Sequence, residues 1–354
     1  YLGKRITKMD IETGYKHRVG AHCETCVTAG LINHHSSNGM DVTEPLVFGT
    51  GAGLNFVHVP VLKFMGLPLT SFRSPAGSIM KKSLERLGVQ AQIRYFSDQD
   101  KAMQALDAEL DKGLPVGLQV GVYWLPFIQE VFRIHLNLHN LVVTGKKGND
   151  YLVSDFLTNE IAVCPAKDLR KARFSKGTMA PRGRMVSIQK VPDRLRLRYA
   201  CSSGIRDVCN TMLQPLFPFV GVKGIRYIAN RIEKWPSTLG ERGSRRNLGN
   251  VIMMQEEIGT GGAGFRYMFA AFLEESAGIL SDERLLRLSG QMTATGDKWR
   301  SFGVQAARHC KGRSREGEGF ASYAAVLREC ADEEESIFRE LKKIVPKIPS
   351  AKAM

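Results

Sequence analysis

The sequence predicts an α+β fold, in which an N-terminal helix packs on an antiparallel sheet and an all-α domain follows. Short β-branched and apolar runs separated by turn residues follow residue 113, whereas apolar residues beyond residue 199 recur at steps of three and four. The 354 residues also suffice for two domains. We expect a first domain over residues 15–160, a basic linker or boundary segment over 161–198 and a helical domain over 199–345.

Local patterns predict the individual elements of the first half. Small and apolar residues at helical spacing predict a helix over residues 23–35. Segments 74–88 and 97–113 each begin with a Ser or Asp capping candidate and end at Gly, which is typical of helices. Segment 141–156, LVVTGKKGNDYLVSDF, predicts a β-hairpin whose connection contains Gly and Asn-Asp.

The chain has a large excess of positive charge. Its formal net charge is +15, and eleven Lys or Arg accompany only two acidic residues between positions 167 and 198. Because such an excess repels itself in a compact state, we expect an acidic partner, with a solvated basic face as the alternative. The candidate partners are nucleic acid, anionic lipid and an acidic carrier protein. The basic run has few aromatic residues and no recognisable nucleic-acid motif, so an acidic protein is favoured over nucleic acid.

The composition is that of a soluble globular protein, and it favours the cytoplasm. The longest weakly polar stretch, residues 113–128, is too short to span a bilayer and is interrupted by Pro115 and Pro126. The first ten residues, YLGKRITKMD, lack the apolar core of a signal peptide. Seven cysteines, an odd number spread along the chain, do not resemble a secreted disulfide framework.

The segment HCETC contains two cysteines at helical spacing, which allow three interpretations. A redox pair would need a β-α-β context, and the preceding residues 13–21 do not predict the strand that this requires. A zinc site would combine Cys23 and Cys26 with His34 and His35, but on a helix these histidines lie about two turns further along. The third interpretation is a nucleophilic cysteine at a helix start.

A nucleophilic cysteine requires a histidine to hold its proton and a further group to orient that histidine. The predicted hairpin supplies His139 at the start of one strand and Asp155 at the end of the next, so pairing brings them level. His135 is a rival base, but no apolar strand directly follows it, so we favour His139. The sequence therefore predicts a catalytic triad of Cys23, His139 and Asp155, without a metal.

Several motifs, in this order and spacing, resemble the N-terminal domain of the butirosin-biosynthesis acyltransferases, the BtrH-like family. They are HCETCVTAGLINH, TEPLVFGTGAGLNF, VGVYWLPF, HNLVVTG and YLVSD, and GTGGAGFRYMFAAFLEESA with KWRSFG resembles the helical domain that accompanies it. The family is in turn similar to papain-like peptidases that cleave bacteriocin leaders. The resemblance covers about residues 15–345 and implies a papain-like cysteine-enzyme domain followed by an all-α domain.

The resemblance also implies roles for residues around the cysteine. Cys23, which follows His22 at the helix start, is the expected nucleophile, and Cys26 lies at a position where packing is expected instead. Glu44 is expected to orient the active-site segment or to contact a substrate amine, with an ordinary loop residue as the alternative. The oxyanion would be bound by the backbone N–H of Cys23, aided by a side chain such as His22 or His17.

The activity implied by the resemblance is acyl transfer in the biosynthesis of a specialised metabolite. An acyl carrier protein would deliver the acyl group as a phosphopantetheine thioester, Cys23 would accept it, and the amine of a small molecule or peptide would receive it, with no bound cofactor. Carrier proteins are strongly acidic, so we expect a docking surface on basic residues of the linker, namely Arg170, Lys171, Arg173 and Lys176.

Two other classes of function stay open at this point. A cysteine amidase or peptidase would use the same triad with water as the acceptor. A binding or scaffolding protein would retain the fold without its chemistry. The long helical segment at the end of the second half also allows a homodimer.

Overall fold

The computed structural model describes residues 10–37, 39, 41–64, 66–257 and 260–345. The chain divides into two compact units, one of residues 1–44 and 88–195 and one of residues 45–87 and 196–354. Of the first ten residues, YLGKRITKMD, only Asp10 lies within the described residues. Within the described ranges no helix is both long enough and apolar enough to cross a membrane.

The strands of the described residues are β1 (Ile11–Glu12), β2 (Leu54–Phe64), β3 (Leu67–Arg73), β4 (Gln90–Arg94), β5 (Val116–Val120), β6 (His139–Lys147), β7 (Asp150–Ser154), β8 (Ala162–Cys164) and β9 (Met185–Lys190). The helices are α1 (Cys23–His35), α2 (Glu44–Thr50), α3 (Ser78–Leu87), α4 (Gln99–Leu110), α5 (Ala166–Arg173), α6 (Leu197–Leu213), α7 (Gly221–Ile252), α8 (Arg266–Leu280), α9 (Arg284–Cys310) and α10 (Phe320–Ile344). The helices predicted at residues 23–35, 74–88 and 97–113 are therefore confirmed.

The first unit is built on an antiparallel sheet with the strand order β4-β9-β5-β6-β7-β8, and β1 also pairs with β6. The predicted hairpin is confirmed as β6 and β7, in which Val142 lies opposite Ser154. On the other side of β6, His139 lies opposite Val120 and Asn140 lies opposite Gln119. The sheet thus places the beginning of β6 beside the end of β5.

Helix α1 is almost completely buried, including its polar residues Glu24, Thr25 and Thr28. A helix buried on all sides lies at the centre of a domain rather than on its surface. It packs closely on the sheet at Gly117, where an added Cβ atom would lie only 3.0 Å from a methyl group of Leu31. The close packing of α1 on the sheet fixes the position of its first residue, Cys23.

The interpretation of residues 161–198 as a linker is wrong, although a boundary between the two units, at residues 195 and 196, falls within this segment. This segment contains β8, α5 and β9, and β9 lies inside the sheet between β4 and β5. The apolar run from Met185 to Ile188 is buried, so the strand forms despite the basic residues around it. The first predicted domain also differs from the structure, because residues 45–87, with the β2-β3 hairpin and α3, belong to the second unit.

The second unit contains the helices that the apolar spacing predicted, α6 to α10. Its core includes a buried ion pair between Arg266 and Glu334, whose Nε and Oε1 atoms lie 2.9 Å apart. The Trp299 indole N–H donates to the same carboxylate at 2.6 Å, and the Arg266 guanidinium lies 4.8 Å from the Trp299 ring centroid. These contacts compensate the burial of both charges.

Candidate active site

Cys23 is the first residue of α1, and the backbone that leads to it is fixed by Glu44. One carboxylate oxygen of Glu44 accepts from the Ala21 N–H at 2.9 Å, and the other accepts from the His22 N–H at 3.1 Å and the Thr25 hydroxyl at 2.7 Å. A carboxylate at a helix N-terminus also interacts favourably with the helix dipole. Of the expected roles for Glu44, the geometry supports orientation of the active-site segment.

The other two residues of the predicted triad lie beside Cys23. The His139 Nε2 and Asp155 Oδ2 atoms are 2.5 Å apart, and both side chains are buried. The second Asp155 oxygen accepts from the Leu157 N–H at 3.0 Å, which fixes the carboxylate. Nδ1 is the imidazole nitrogen that Asp155 leaves available, and His139 has a side-chain hydrogen bond with Cys23. The structure thus joins Cys23, His139 and Asp155 in one hydrogen-bonded series.

The environment of His139 favours its protonated form. Burial acts to lower the pKa of His139, but the charge of Asp155 and the hydrogen bonds to Asp155 and Cys23 together raise it to about 10. The direction of this shift favours the cationic imidazole. An imidazolium beside a cysteine favours the thiolate, which is the nucleophilic form of the sulfur.

Cys26 occupies a different environment. Its side chain is buried, and its thiol donates to the Arg18 carbonyl at 3.7 Å. Burial, with a contribution from the charge of Glu44, raises the pKa of Cys26 to about 12. Both Cys23 and Cys26 are free thiols, and Cys26 is the more deeply buried of the two.

The other candidate histidines have structural contacts. His135 is exposed and stacks on Tyr123, with the ring centroids 4.1 Å apart. The two ring nitrogens of His17 lie 2.8 Å from the Ser154 hydroxyl and 2.9 Å from the Thr158 carbonyl. His22 is buried at the N-cap of α1, where its carbonyl accepts the first helical hydrogen bond. His17 is therefore engaged elsewhere and is not the oxyanion donor that the sequence suggested.

One site residue was missed by the sequence analysis. The amide nitrogen of Asn140 lies 3.6 Å from the Cys23 sulfur, and the Leu138 carbonyl lies 3.8 Å from the same sulfur. The only signal in the sequence is an Asn immediately after His139. Within the described ranges no group of three or more His, Cys, Asp or Glu could hold a metal ion.

Two family models match the chain. Residues 22–156 match the model for butirosin biosynthesis protein H, N-terminal, and residues 167–341 match a domain of unknown function, DUF4872. Residues 22–156 are thus similar to the N-terminal domain of the BtrH-like family. No curated protein matches the chain.

A solved structure from Bacillus anthracis, named as a putative C39-like peptidase, is similar to part of this chain. The two are 13% identical, the match covers 52% of this chain and 98% of the other, and the TM-score is 0.35. A likeness this weak does not establish a common function. In this chain a cysteine lies at the start of a helix packed on the antiparallel sheet that supplies His139 and Asp155, which is the arrangement expected of a papain-like domain.

The predicted docking residues fall into two groups. Lys171 and Lys176 are exposed, and Arg170 is partly exposed and forms an ion pair with Asp100. Arg173 is fully buried and donates to the Ala102 carbonyl at 2.8 Å, so its predicted docking role is wrong. The reason is its position on α5, where it continues the buried face of the helix.

Proposed function

We propose that this protein is an acyltransferase that moves an acyl group from the thioester of an acyl carrier protein, through Cys23, to an amine. The reaction would belong to the biosynthesis of a specialised metabolite in the cytoplasm. The observation that supports the proposal most is the hydrogen-bonded series of Cys23, His139 and Asp155 within a BtrH-like segment.

In the first half-reaction the Cys23 thiolate attacks the thioester carbonyl carbon. A bond forms between this carbon and the Cys23 sulfur, and the carbonyl π electrons move to oxygen. When the oxyanion collapses, the bond to the phosphopantetheine sulfur breaks, and this sulfur takes the proton from the His139 imidazolium. The products are an acyl-Cys23 thioester, a free carrier thiol and a neutral His139.

In the second half-reaction an amine attacks the acyl-Cys23 carbonyl. Neutral His139 removes a proton from the attacking nitrogen, the carbon–sulfur bond to Cys23 breaks, and an amide leaves. The thiolate and the imidazolium are restored. Asp155 holds the His139 ring in place and stabilises its positive charge throughout, and no metal or bound cofactor enters either step.

The exposed basic residues near the site suit an acidic carrier protein. The Asn137 side chain donates to the Lys176 and Thr178 carbonyls at 3.1 and 3.0 Å, and the Gln119 side chain donates to the Asn137 carbonyl at 2.9 Å. Gln119 lies opposite Asn140, which contacts Cys23. These contacts connect the Lys176 backbone, through Asn137 and Gln119, to the strand that carries Asn140, which supports Lys176 as a docking residue for the carrier protein.

The partner can be tested by reversing charge at this position. The change Lys176→Glu should slow transfer from a carrier-bound donor while leaving transfer from a small pantetheine thioester unchanged, because only the carrier has the acidic surface. The matched control is Lys190→Glu, since Lys190 is exposed at the opposite end of β9 from the site. An equal loss with both donors would contradict carrier docking at Lys176.

Transfer and hydrolysis are separated by the fate of the acyl group. The protein is mixed with an acyl-loaded carrier protein, with and without a panel of primary amines, and both amide and free acid are quantified. Amide formation that depends on Cys23 and exceeds hydrolysis supports the transferase. Donor hydrolysis at the same rate with and without amines, and without amide, would instead support an amidase or peptidase.

A further inference from the structure

A row of three polar side chains crosses the sheet beside the catalytic cysteine. Asn140 on β6 lies opposite Gln119 on β5, and the Gln119 N–H donates to the carbonyl of Arg184, the residue before β9, at 3.3 Å. Gln119 is two residues from Gly117, so both lie on the same face of β5. That face packs against α1, because Gly117 lies against Leu31 of that helix.

Arg184 determines which way the Asn140 amide points. The Arg184 Nη1 atom lies 3.5 Å from the Asn140 Oδ1 atom, and both side chains are buried. A guanidinium only donates hydrogen bonds, so the amide oxygen must face Arg184. The amide nitrogen is then directed at the Cys23 sulfur, at 3.6 Å, and at the Leu138 carbonyl, at 3.3 Å. An N–H donor thus points at the reacting atom.

Neighbouring side-chain donors are engaged elsewhere. The Gln119 amide nitrogen donates to the Asn137 carbonyl at 2.9 Å and to the Met179 carbonyl at 3.5 Å. The His17 ring is held by Ser154 and Thr158. Of the three, only the amide of Asn140 is directed at the sulfur.

We propose that Asn140 is a catalytic residue, the side-chain donor of the oxyanion hole, and that Arg184 is a positioning residue that fixes the amide orientation. This inference rests on the proposed function only in requiring that Cys23 forms an acyl enzyme. When the thiolate attacks, the π electron pair of the carbonyl group moves to its oxygen atom. This oxygen lies about 3 Å from both the nucleophile and the donor. The Asn140 N–H and the backbone N–H of Cys23 at the helix start then bind this oxyanion until the leaving group departs with a proton from His139.

The test compares two reactions of Cys23 that differ only in the need for an oxyanion hole. Acylation by p-nitrophenyl acetate passes through an oxyanion and is followed by the burst of p-nitrophenolate, whereas alkylation by iodoacetamide forms none. We expect Asn140→Ala to slow acylation by about 10²- to 10³-fold and to change alkylation by less than about threefold. Equal slowing of both reactions, or unchanged acylation, would overturn the assignment.

A matched control removes a buried amide elsewhere in the chain. Asn250 is 6% exposed, compared with 4% for Asn140, and donates to the Pro68 carbonyl at 3.0 Å within the second unit. Asn250→Ala should leave both reactions of Cys23 unchanged. Thermal unfolding of each variant shows whether it is folded at the assay temperature. If Asn140→Ala does not fold, Asn140→Ser replaces it in the test. Because serine keeps a shorter donor, Asn140→Ser should retain part of the wild-type acylation rate.

The role of Arg184 is tested through its dependence on Asn140. We expect Arg184→Met to slow acylation about tenfold in the wild-type background and not at all in the Asn140→Ala background, because it acts only through that amide. Equal losses in both backgrounds would make Arg184 merely structural and contradict the proposal. If p-nitrophenyl acetate acylates Cys23 but carrier thioesters do not, the donor named in the proposed function is wrong, while the assignment of Asn140 is still decided.

Discussion

Iodoacetamide at pH 7 should alkylate Cys23 long before any of the other six cysteines. The prediction follows from the contrast between Cys23, which has a hydrogen bond with a cationic imidazole, and thiols that burial holds in the protonated form. Because the thiolate is the form that reacts, the rate at each position depends on the fraction of thiolate.

The expected difference in alkylation rate between the buried cysteines and an ordinary thiol follows from their pKa values. Burial raises the pKa of Cys26 from an ordinary value of 9.0 to about 12, and it has the same effect on Cys164, Cys201 and Cys209. At pH 7 the thiolate fraction of these groups is on the order of 10⁻⁵, compared with about 10⁻² for an ordinary thiol. They should react about 10³-fold more slowly than an ordinary thiol even before their burial restricts access.

The assay follows the rate of labelling at each cysteine by peptide mass after timed additions of iodoacetamide. We expect a single fast site at Cys23, lost in Cys23→Ser and retained in Cys26→Ser. The fast rate should persist as the pH rises from 6 to 9, because the pKa of His139 is raised to about 10. Labelling of Cys26 at a rate similar to that of Cys23 would refute the predicted difference in reactivity between the two cysteines.

Three further predictions concern stability. Glu44→Ala should lower the free energy of unfolding by about 2–4 kcal/mol, since it removes three hydrogen bonds to a carboxylate, and urea denaturation that shows no loss would contradict this. The pKa of His139 is raised on folding, so the stabilisation by Asp155 is full below the unfolded pKa of 6.5 and is lost as the pH rises through about 10. The destabilisation by Asp155→Asn, measured in urea, should therefore shrink from pH 6 to pH 10, and a constant difference would refute the coupling. Arg173→Ala should cost about 3 kcal/mol, because it leaves a buried carbonyl without its donor, whereas Lys176→Ala should change stability by less than about 0.5 kcal/mol; similar effects of the two changes on the thermal midpoint would contradict the burial of Arg173.

The three residues of the triad could be predicted because each follows from a strong local pattern. Cys23 begins a helix that its own apolar spacing predicts, and His139 and Asp155 lie at the ends of a hairpin that pairs residues close in sequence. Their catalytic role stays a prediction until it is measured. The α+β fold class is confirmed for the same reason, since helices and hairpins depend mainly on local sequence.

The row of Asn140, Gln119 and Arg184 could not be predicted in this way. The pairing of β5 with β9 joins residues far apart in sequence, and no local sequence pattern predicts it. The basic segment is not a linker for the same reason. Its short apolar strand, β9, lies among many charged residues, and only its pairing with β5 shows that it belongs to the sheet. Long-range pairing of this kind becomes visible only when the sheet is assembled.

The burial of Arg173 could have been recognised from helical spacing. Leu169 and Ala172 lie four and one positions before it, so all three share the buried face of α5. A count of positive charges treats Arg173 and Lys176 alike, whereas the periodicity of the helix separates them. Charge alone therefore identifies a basic segment without showing which of its residues reach the surface.

Acyl transfer through Cys23 is tested most directly by the intact mass of the protein after mixing with an acyl-loaded carrier protein. We expect a mass increase equal to one acyl group, present in Cys26→Ser, absent in Cys23→Ala, and discharged when an amine acceptor is added. An adduct that persists in Cys23→Ala, or a complete lack of adduct and of donor turnover with wild-type protein, would contradict acyl transfer through Cys23.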